Sequence, residues 1–193
     1  MNNSVLLENL RVIPHFPKKG IMFEDVTSLF RNAECMQIMC KEMVDYYRDK
    51  GITKVVGIES RGFMLSGVVG KEMNAGVVMR RKPNKLPGNV VKISYTKEYG
   101  TDTLEISEGS INENDVVLIH DDLLATGGTI KAAIDLVKMF KPKKIYVSFI
   151  IDLMIEGLNG KDGFDPDIDI FSILEIREEE LKEQLKRQNL TLE

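Results

Sequence analysis

Residues Val116 to Ile130 read VVLIHDDLLATGGTI, and the architecture of the chain follows from them. Val116, Val117, Leu118 and Ile119 form a β-branched, apolar run of the kind buried in a parallel sheet, and Lys131 to Phe140 carries apolar residues at helical spacing. Between them stand an acidic pair and a Thr- and Gly-rich turn, so the stretch predicts a strand, a tight loop and a helix. The backbone N–H groups of Ala125 to Thr129 then lie at a helix N-terminus, where unpaired donors and the helix dipole favour a phosphate. Gly127 and Gly128 let the backbone approach such an anion closely, and Thr126 and Thr129 add hydroxyl donors. No Lys follows the glycines as in a nucleoside-triphosphate loop, so the loop suits a terminal monophosphate better than a polyphosphate chain. Asp121 and Asp122 fall at the carboxyl end of the strand, where open α/β sheets bind ligands and where two vicinal hydroxyls could donate to them. A Gly-Gly turn alone is usually only a turn, and an Asp pair alone is often a solvated cap. Their combination points to a phosphorylated sugar.

Outward from this stretch the chain alternates. Lys54 to Ile58 reads as a strand, Glu59 to Gly62 as a turn, Phe63 to Met73 as a helix and Gly76 to Arg80 as a second strand, which together make a βαβ unit. Strands at Lys144 to Ile151 and Ile168 to Leu174 continue the pattern toward a mostly parallel α/β sheet flanked by helices. Upstream, Cys35 to Lys50 reads as an amphipathic helix closed by Gly51, with Met36, Met39, Cys40, Met43 and Tyr47 on one side as core packing. The punctuation of IPHFPKKGIMF predicts an irregular N-terminal segment after a short first helix, with a second short helix near Asp25 to Phe30. That segment, about residues 1–33, forms a candidate hood. Pro83 to Gly109 reads as a long excursion or hairpin projecting from the sheet, and the charged tail at residues 177–193 as a surface helix. Residues 1–193 are expected to form one domain.

Composition narrows the function classes. A net charge of −4 with both signs interspersed leaves no basic face for nucleic acid and no polybasic membrane patch. The start MNNSVLLENL is polar and unlike a secretory signal, and no apolar run is long enough to span a membrane. Two cysteines, Cys35 and Cys40, argue against a disulfide or zinc framework and suit a reducing cytoplasm. His15 and His120 support neither a metal site nor a nucleophilic triad and read as structural.

The run from Val116 to Ile130 resembles the phosphoribosyl diphosphate (PRPP) signature of the type I phosphoribosyltransferases, in the form carried by the adenine-using branch. The resemblance extends to about Leu174 and implies the type I fold with a hood and a mobile catalytic loop. It implies a Mg²⁺-dependent glycosyltransferase of purine salvage that converts adenine and PRPP to AMP and pyrophosphate, working in the cytoplasm as a homodimer. Asp121 and Asp122 would orient the ribose, and Ala125, Thr126, Gly127, Gly128 and Thr129 would anchor the 5-phosphate. Ala125 stands where 6-oxopurine enzymes place an Asp, which argues for adenine.

Three further stretches match the family. Glu59, Ser60, Arg61 and Gly62 match its pyrophosphate loop, where Arg61 could neutralise the leaving group through its forked donors. Arg81, Lys82 and Lys85 match its diphosphate-binding cations. Glu98 and Tyr99, in SYTKEYGTD, match the active-site pair of the mobile loop; the resemblance gives Glu98 proton handling on the purine imidazole and Tyr99 positioning and water exclusion, with Gly100 part of a hinge. Met22, Phe23 and Glu24 match the adenine-holding segment, although Glu24 stands where Arg is common. No residue is a direct metal ligand on this reading, because PRPP itself carries the Mg²⁺ near Asp121 and Asp122. Two alternatives stay open: transfer to another purine base, and a non-catalytic PRPP-binding regulator.

Overall fold

A computed structural model describes residues 3–96, 101–155, 158 and 160–190. It opens with helix α1 (Asn3–Asn9) and two short strands, β1 (Arg11–Pro14) and β2 (Met22–Asp25), paired antiparallel with Val12 opposite Glu24 and Ile13 opposite Phe23. This pair corrects the irregular segment expected from Pro and Gly. The irregularity is confined to residues 15–21, where Phe16–Pro17 is cis and His15 and Gly20 have positive φ, and the flanking residues are free to pair. One helical turn, α2 (Thr27–Phe30), leads to α3 (Ala33–Tyr47), whose N-cap Asn32 accepts from the Glu34 and Cys35 amides at 2.9 and 3.2 Å. Such a cap contributes about 1 kcal/mol. Met39, Met43 and Tyr47 are fully buried, with Met36 and Cys40 packed beside them, so the Met stripe is core as expected.

The βαβ unit consists of β3 (Lys54–Ile58), α4 (Gly62–Glu72) and β4 (Gly76–Arg80), with the strands parallel. The excursion is an antiparallel hairpin, β5 (Val90–Thr96) and β6 (Thr101–Ser107), joined to the end of β4 by an Arg81–Glu105 bridge. Then come β7 (Val116–Leu124), α5 (Gly128–Lys138), β8 (Lys144–Met154), β9 (Asp169–Arg177) and α6 (Glu178–Arg187). The main sheet runs β4-β3-β7-β8-β9 with every pairing parallel, and its central strands are buried on both faces. One core cluster joins the sheet to α1, α3 and α6, and the other packs beneath α5 and the β5–β6 hairpin.

Two boundaries differ from the sequence reading. β7 continues past Ile119 to Leu124, because β8 keeps pairing with it to Leu124–Asp152 after β3 has stopped at Gly57–His120. The acidic pair therefore lies within the strand. The tail is not merely a surface helix: Leu181, Gln184 and Leu185 are buried, and the Gln188 amide bridges the hood, accepting from the Val12 N–H at 3.1 Å and donating to the Leu10 carbonyl at 3.0 Å. No helix of the described residues is long and apolar enough to cross a membrane.

Candidate active site

The Gly-rich stretch folds as its residues demand. After Leu124 the chain turns through Ala125 and Thr126 to Gly127, at φ 78°, and α5 begins at Gly128. A Cβ on Gly127 would stand 2.3 Å from the Gly160 carbonyl oxygen, so the turn needs glycine both for its left-handed backbone and for that close approach. Asp121, Phe149 and the segment from Ala125 to Thr129 line a cavity of about 120 Å³. The Tyr95 hydroxyl, from the β5–β6 hairpin, lies 3.3 Å from Thr129 Oγ1 and ties that hairpin to the loop.

The two carboxylates have different surroundings. Asp121 Oδ1 accepts from the Asp122 amide at 2.9 Å, and burial, with the Asp122 carboxylate beside it, holds the Asp121 carboxyl well above its ordinary range. Asp122 is buried and ion-paired with Arg61 Nε. The same guanidinium stands 5.7 Å from the centre of the Phe23 ring, which itself packs edge-on against Phe16 at 5.0 Å. Arg61 thus joins the acidic strand, the loop after β3 and the hood, three parts scattered through the sequence.

The loop after β3 contains a cis peptide between Glu59 and Ser60. Glu59 serves it as an anchor: its carboxylate accepts from the Lys82 amide at 2.7 Å and pairs with Arg81 at 3.1 Å. Those two contacts, the amide first, hold the Glu59 carboxyl below its usual range. Arg81 also donates to the Lys85 carbonyl at 3.3 Å, and the side chains of Lys82, Lys85 and Ser60 are exposed. The anion-binding candidates therefore gather at the carboxyl ends of β3, β4 and β7. Glu98, Tyr99 and Gly100 lie outside the described residues.

The hood splits its three candidates. Alternation along β2 turns Phe23 toward Arg61 and sends Met22 and Glu24 to the opposite face, where Met22 joins the α3 core. Glu24 is 2% exposed, neither carboxylate oxygen has a partner among the described residues, and burial pushes its carboxyl up to about 7. Its charged form is thus disfavoured in the fold. As pH rises from 4.5 to about 7, the unfolded chain ionises this group before the folded one does, so its contribution falls with pH and the penalty is complete above about 7. His120 tilts the other way, since burial lowers it from 6.5 to about 4 and stability gained through it is lost as pH falls through that range. A wild-type profile blends the two, and a variant separates them. The stability of Glu24→Gln relative to wild type is expected to be about 1–3 kcal/mol more favourable at pH 8 than at pH 5. Urea unfolding at both pH values measures it, and a pH-independent difference would exclude an ionising Glu24.

His120 is buried within β7, and its Nδ1 lies 3.0 Å from Ser148 Oγ. Sequence reasoning passed over Arg80, which is buried at the end of β4. The available signal was its parity, because Arg80 follows Val78 by two residues and shares that residue's inward face.

The model of the phosphoribosyl transferase domain family matches residues 25–182. An adenine phosphoribosyltransferase of Bacteroides thetaiotaomicron is 54% identical over 174 residues, covering 90% of this chain and 98% of the relative. One of Halothermothrix orenii is 41% identical, covering 86% and 96%. Among solved structures, the adenine phosphoribosyltransferase of Rhodothermus marinus superposes with a TM-score of 0.83 at 38% identity, covering 90% of this chain and 97% of that one. The Giardia lamblia APRTase complexed with 9-deazaadenine superposes with a TM-score of 0.84 at 38% identity, covering 91% and 98%. With the strand, the acidic pair and the Gly-rich helix start arranged as described, the chain belongs to the phosphoribosyltransferase family, among the adenine phosphoribosyltransferases.

Proposed function

We propose that the chain transfers the 5-phosphoribosyl group of PRPP to N9 of adenine, giving AMP and pyrophosphate. The observation that carries this reading is the single cavity in which Asp121 meets the amides and hydroxyls of Ala125 to Thr129 at the start of α5. Adenine as the base is supported by the names of the relatives and by Ala125 at the position where an Asp would favour a 6-oxopurine.

Each residue then has a task. The segment from Ala125 to Thr129 anchors the 5-phosphate, and Asp121 and Asp122 orient the ribose and favour the positive charge that develops at the anomeric carbon. Arg61, Arg81, Lys82 and Lys85, on the loops that Glu59 joins, draw the diphosphate. β2 holds the base. As the bond from N9 to the anomeric carbon forms, the carbon–oxygen bond to pyrophosphate breaks with its electron pair on the leaving oxygen. The ring proton passes to Glu98, and Tyr99 keeps water out. Among the described residues no group of three His, Cys, Asp or Glu could cage a metal alone, but a pair of carboxylates beside diphosphate oxygens is a hard-oxygen set that suits Mg²⁺ arriving with the substrate. Bound beside Asp121 and Asp122, Mg²⁺ would offset charge on the diphosphate.

The same reading makes the protein a cytoplasmic homodimer. Met64 and Val68 of α4 and Val77 and Met79 of the edge strand β4 present exposed apolar side chains suited to a second copy. A monomer mass at micromolar concentration in sedimentation velocity would rule the dimer out. The central test is an assay with PRPP and Mg²⁺ in which adenine, hypoxanthine, guanine and xanthine are offered separately. AMP formed selectively from adenine is the expected result, and product from another base would locate the error in the base pocket at Met22 to Glu24, of which Phe23 alone faces Arg61. In the same assay Glu98→Gln is expected to lower kcat by about 10² or more. Near-normal turnover would remove Glu98 from proton transfer.

A further inference from the structure

β4 ends on a charged residue in a buried position. Val78 faces the core while Val77 and Met79 face outward, so Arg80 returns to the core side, where it is 2% exposed. The strand register gives it neighbours. Arg80 pairs with Ile58, and Gly57 pairs with His120, which sets Ile58 level with Asp121; Asp121 in turn pairs with Phe149. Arg80, Ile58, Asp121 and Phe149 thus form one row across four strands, and Ile58 and Phe149 both belong to the core beneath α5. At about 4.8 Å per strand spacing, a guanidinium on β4 reaches over Ile58 toward the β7 carboxylate. Arg80 Nε is buried with no partner among the described residues. An unpartnered buried donor on a charged side chain is costly, and an apolar residue would fill the position without that cost.

We propose that Arg80 is a positioning residue of the PRPP site, its guanidinium acting on Asp121 by charge across Ile58 and not through a direct ion pair of the kind Arg61 makes with Asp122. The inference rests on the assignment of the acidic pair to the ribose. Burial lowers the Arg80 guanidinium, and of the groups that oppose this Asp121 acts most strongly, ahead of Tyr95, Asp102 and Glu59. Each carboxylate then has its own arginine, Arg80 from the end of β4 and Arg61 from the loop after β3. The site can receive a polyanionic substrate because two cations balance two carboxylates before it arrives. Without Arg80, Asp121 would face Asp122 and the diphosphate with Arg61 as its nearest compensation.

The test compares Arg80→Met, Arg80→Lys and Asp121→Asn in the full chain, by steady-state kinetics with each substrate varied and by thermal unfolding. Arg80→Met is expected to raise KM for PRPP about tenfold or more while KM for adenine stays within about twofold. Arg80→Lys should restore most of that loss. The melting temperature of Arg80→Met should hold or rise, because a buried, incompletely paired ion has been replaced by an apolar chain of similar length. A purely structural arginine would behave in the opposite way, with lowered melting and unchanged PRPP affinity per folded molecule, and that outcome overturns the proposal. The third variant separates the two layers. If Asp121→Asn impairs PRPP use and Arg80→Met does not, Arg80 alone is misassigned; if Asp121→Asn also has no effect, the ribose assignment fails and Arg80's role falls with it.

Discussion

Asp122→Asn is expected to reduce kcat/KM for PRPP by about 10² or more, since losing one preorganised group aimed at charge developing in the transition state typically costs about 10²–10³ in rate. The substitution keeps the side chain's shape and removes its charge. That charge makes the ion pair with Arg61 and is also the one proposed to stabilise a positive anomeric carbon. The Asp122 side chain is 7% exposed but Arg61 is 42% exposed, so solvent screens part of the pair and the lower end of the range is the appropriate expectation. Global stability should fall less than activity, because a half-exposed Arg61 finds water when its partner is neutralised. Initial rates with PRPP varied at saturating adenine, set beside urea unfolding of the same sample, check both halves. A kcat/KM within about threefold of wild type would show that Asp122 acts on Arg61's packing and not on the reaction.

Gly127→Ala should be nearly as damaging through geometry alone. The residue sits at φ 78°, where an alanine costs about 1–2 kcal/mol, and its Cβ would meet the Gly160 carbonyl oxygen at 2.3 Å. That obstacle is backbone, so the two segments must separate. The displaced segment is the one whose amides are assigned to the 5-phosphate, and a misplacement of about 1 Å at a reacting or anchoring group is worth about 10²-fold in rate. Expected are a kcat/KM for PRPP lowered by about 10² and a stability loss of about 2 kcal/mol. Gly109→Ala supplies the control. Gly109 has a similar φ of 72° with nothing within 4 Å of a Cβ, so it should show the backbone strain without the kinetic loss. Equal kinetic effects in the two variants would mean that the contact with Gly160 does not shape the site.

Much of the fold was legible because its signals are local. The βαβ unit at Lys54 to Arg80, the α3 Met stripe and the hairpin beyond Pro83 came from periodicity and turn chemistry, which a few neighbouring residues suffice to express. The errors occurred where pairing between distant segments decides the outcome. β7 runs to Leu124 because β8 accompanies it, the hood is a strand pair because β1 finds β2, and the charged tail is half-buried because Gln188 reaches β1 across nearly the whole chain. None of these partners is near in sequence.

The site divides along the same line. The phosphate-loop candidate was legible from residues alone, because a strand, two glycines and a helix start are consecutive in the chain. The sequence also showed which side chains could carry charge. What those charges face follows from how the sheet assembles: Arg61 meets Asp122 and Phe23, Glu59 ties the loop after β3 to Arg81 and Lys82, Glu24 turns away from Phe23 into the core, and Arg80 shares a row with Asp121. A backbone turn is specified by short-range sterics, whereas an electrostatic partner is specified by strand order and register, which exist only once the sheet has assembled.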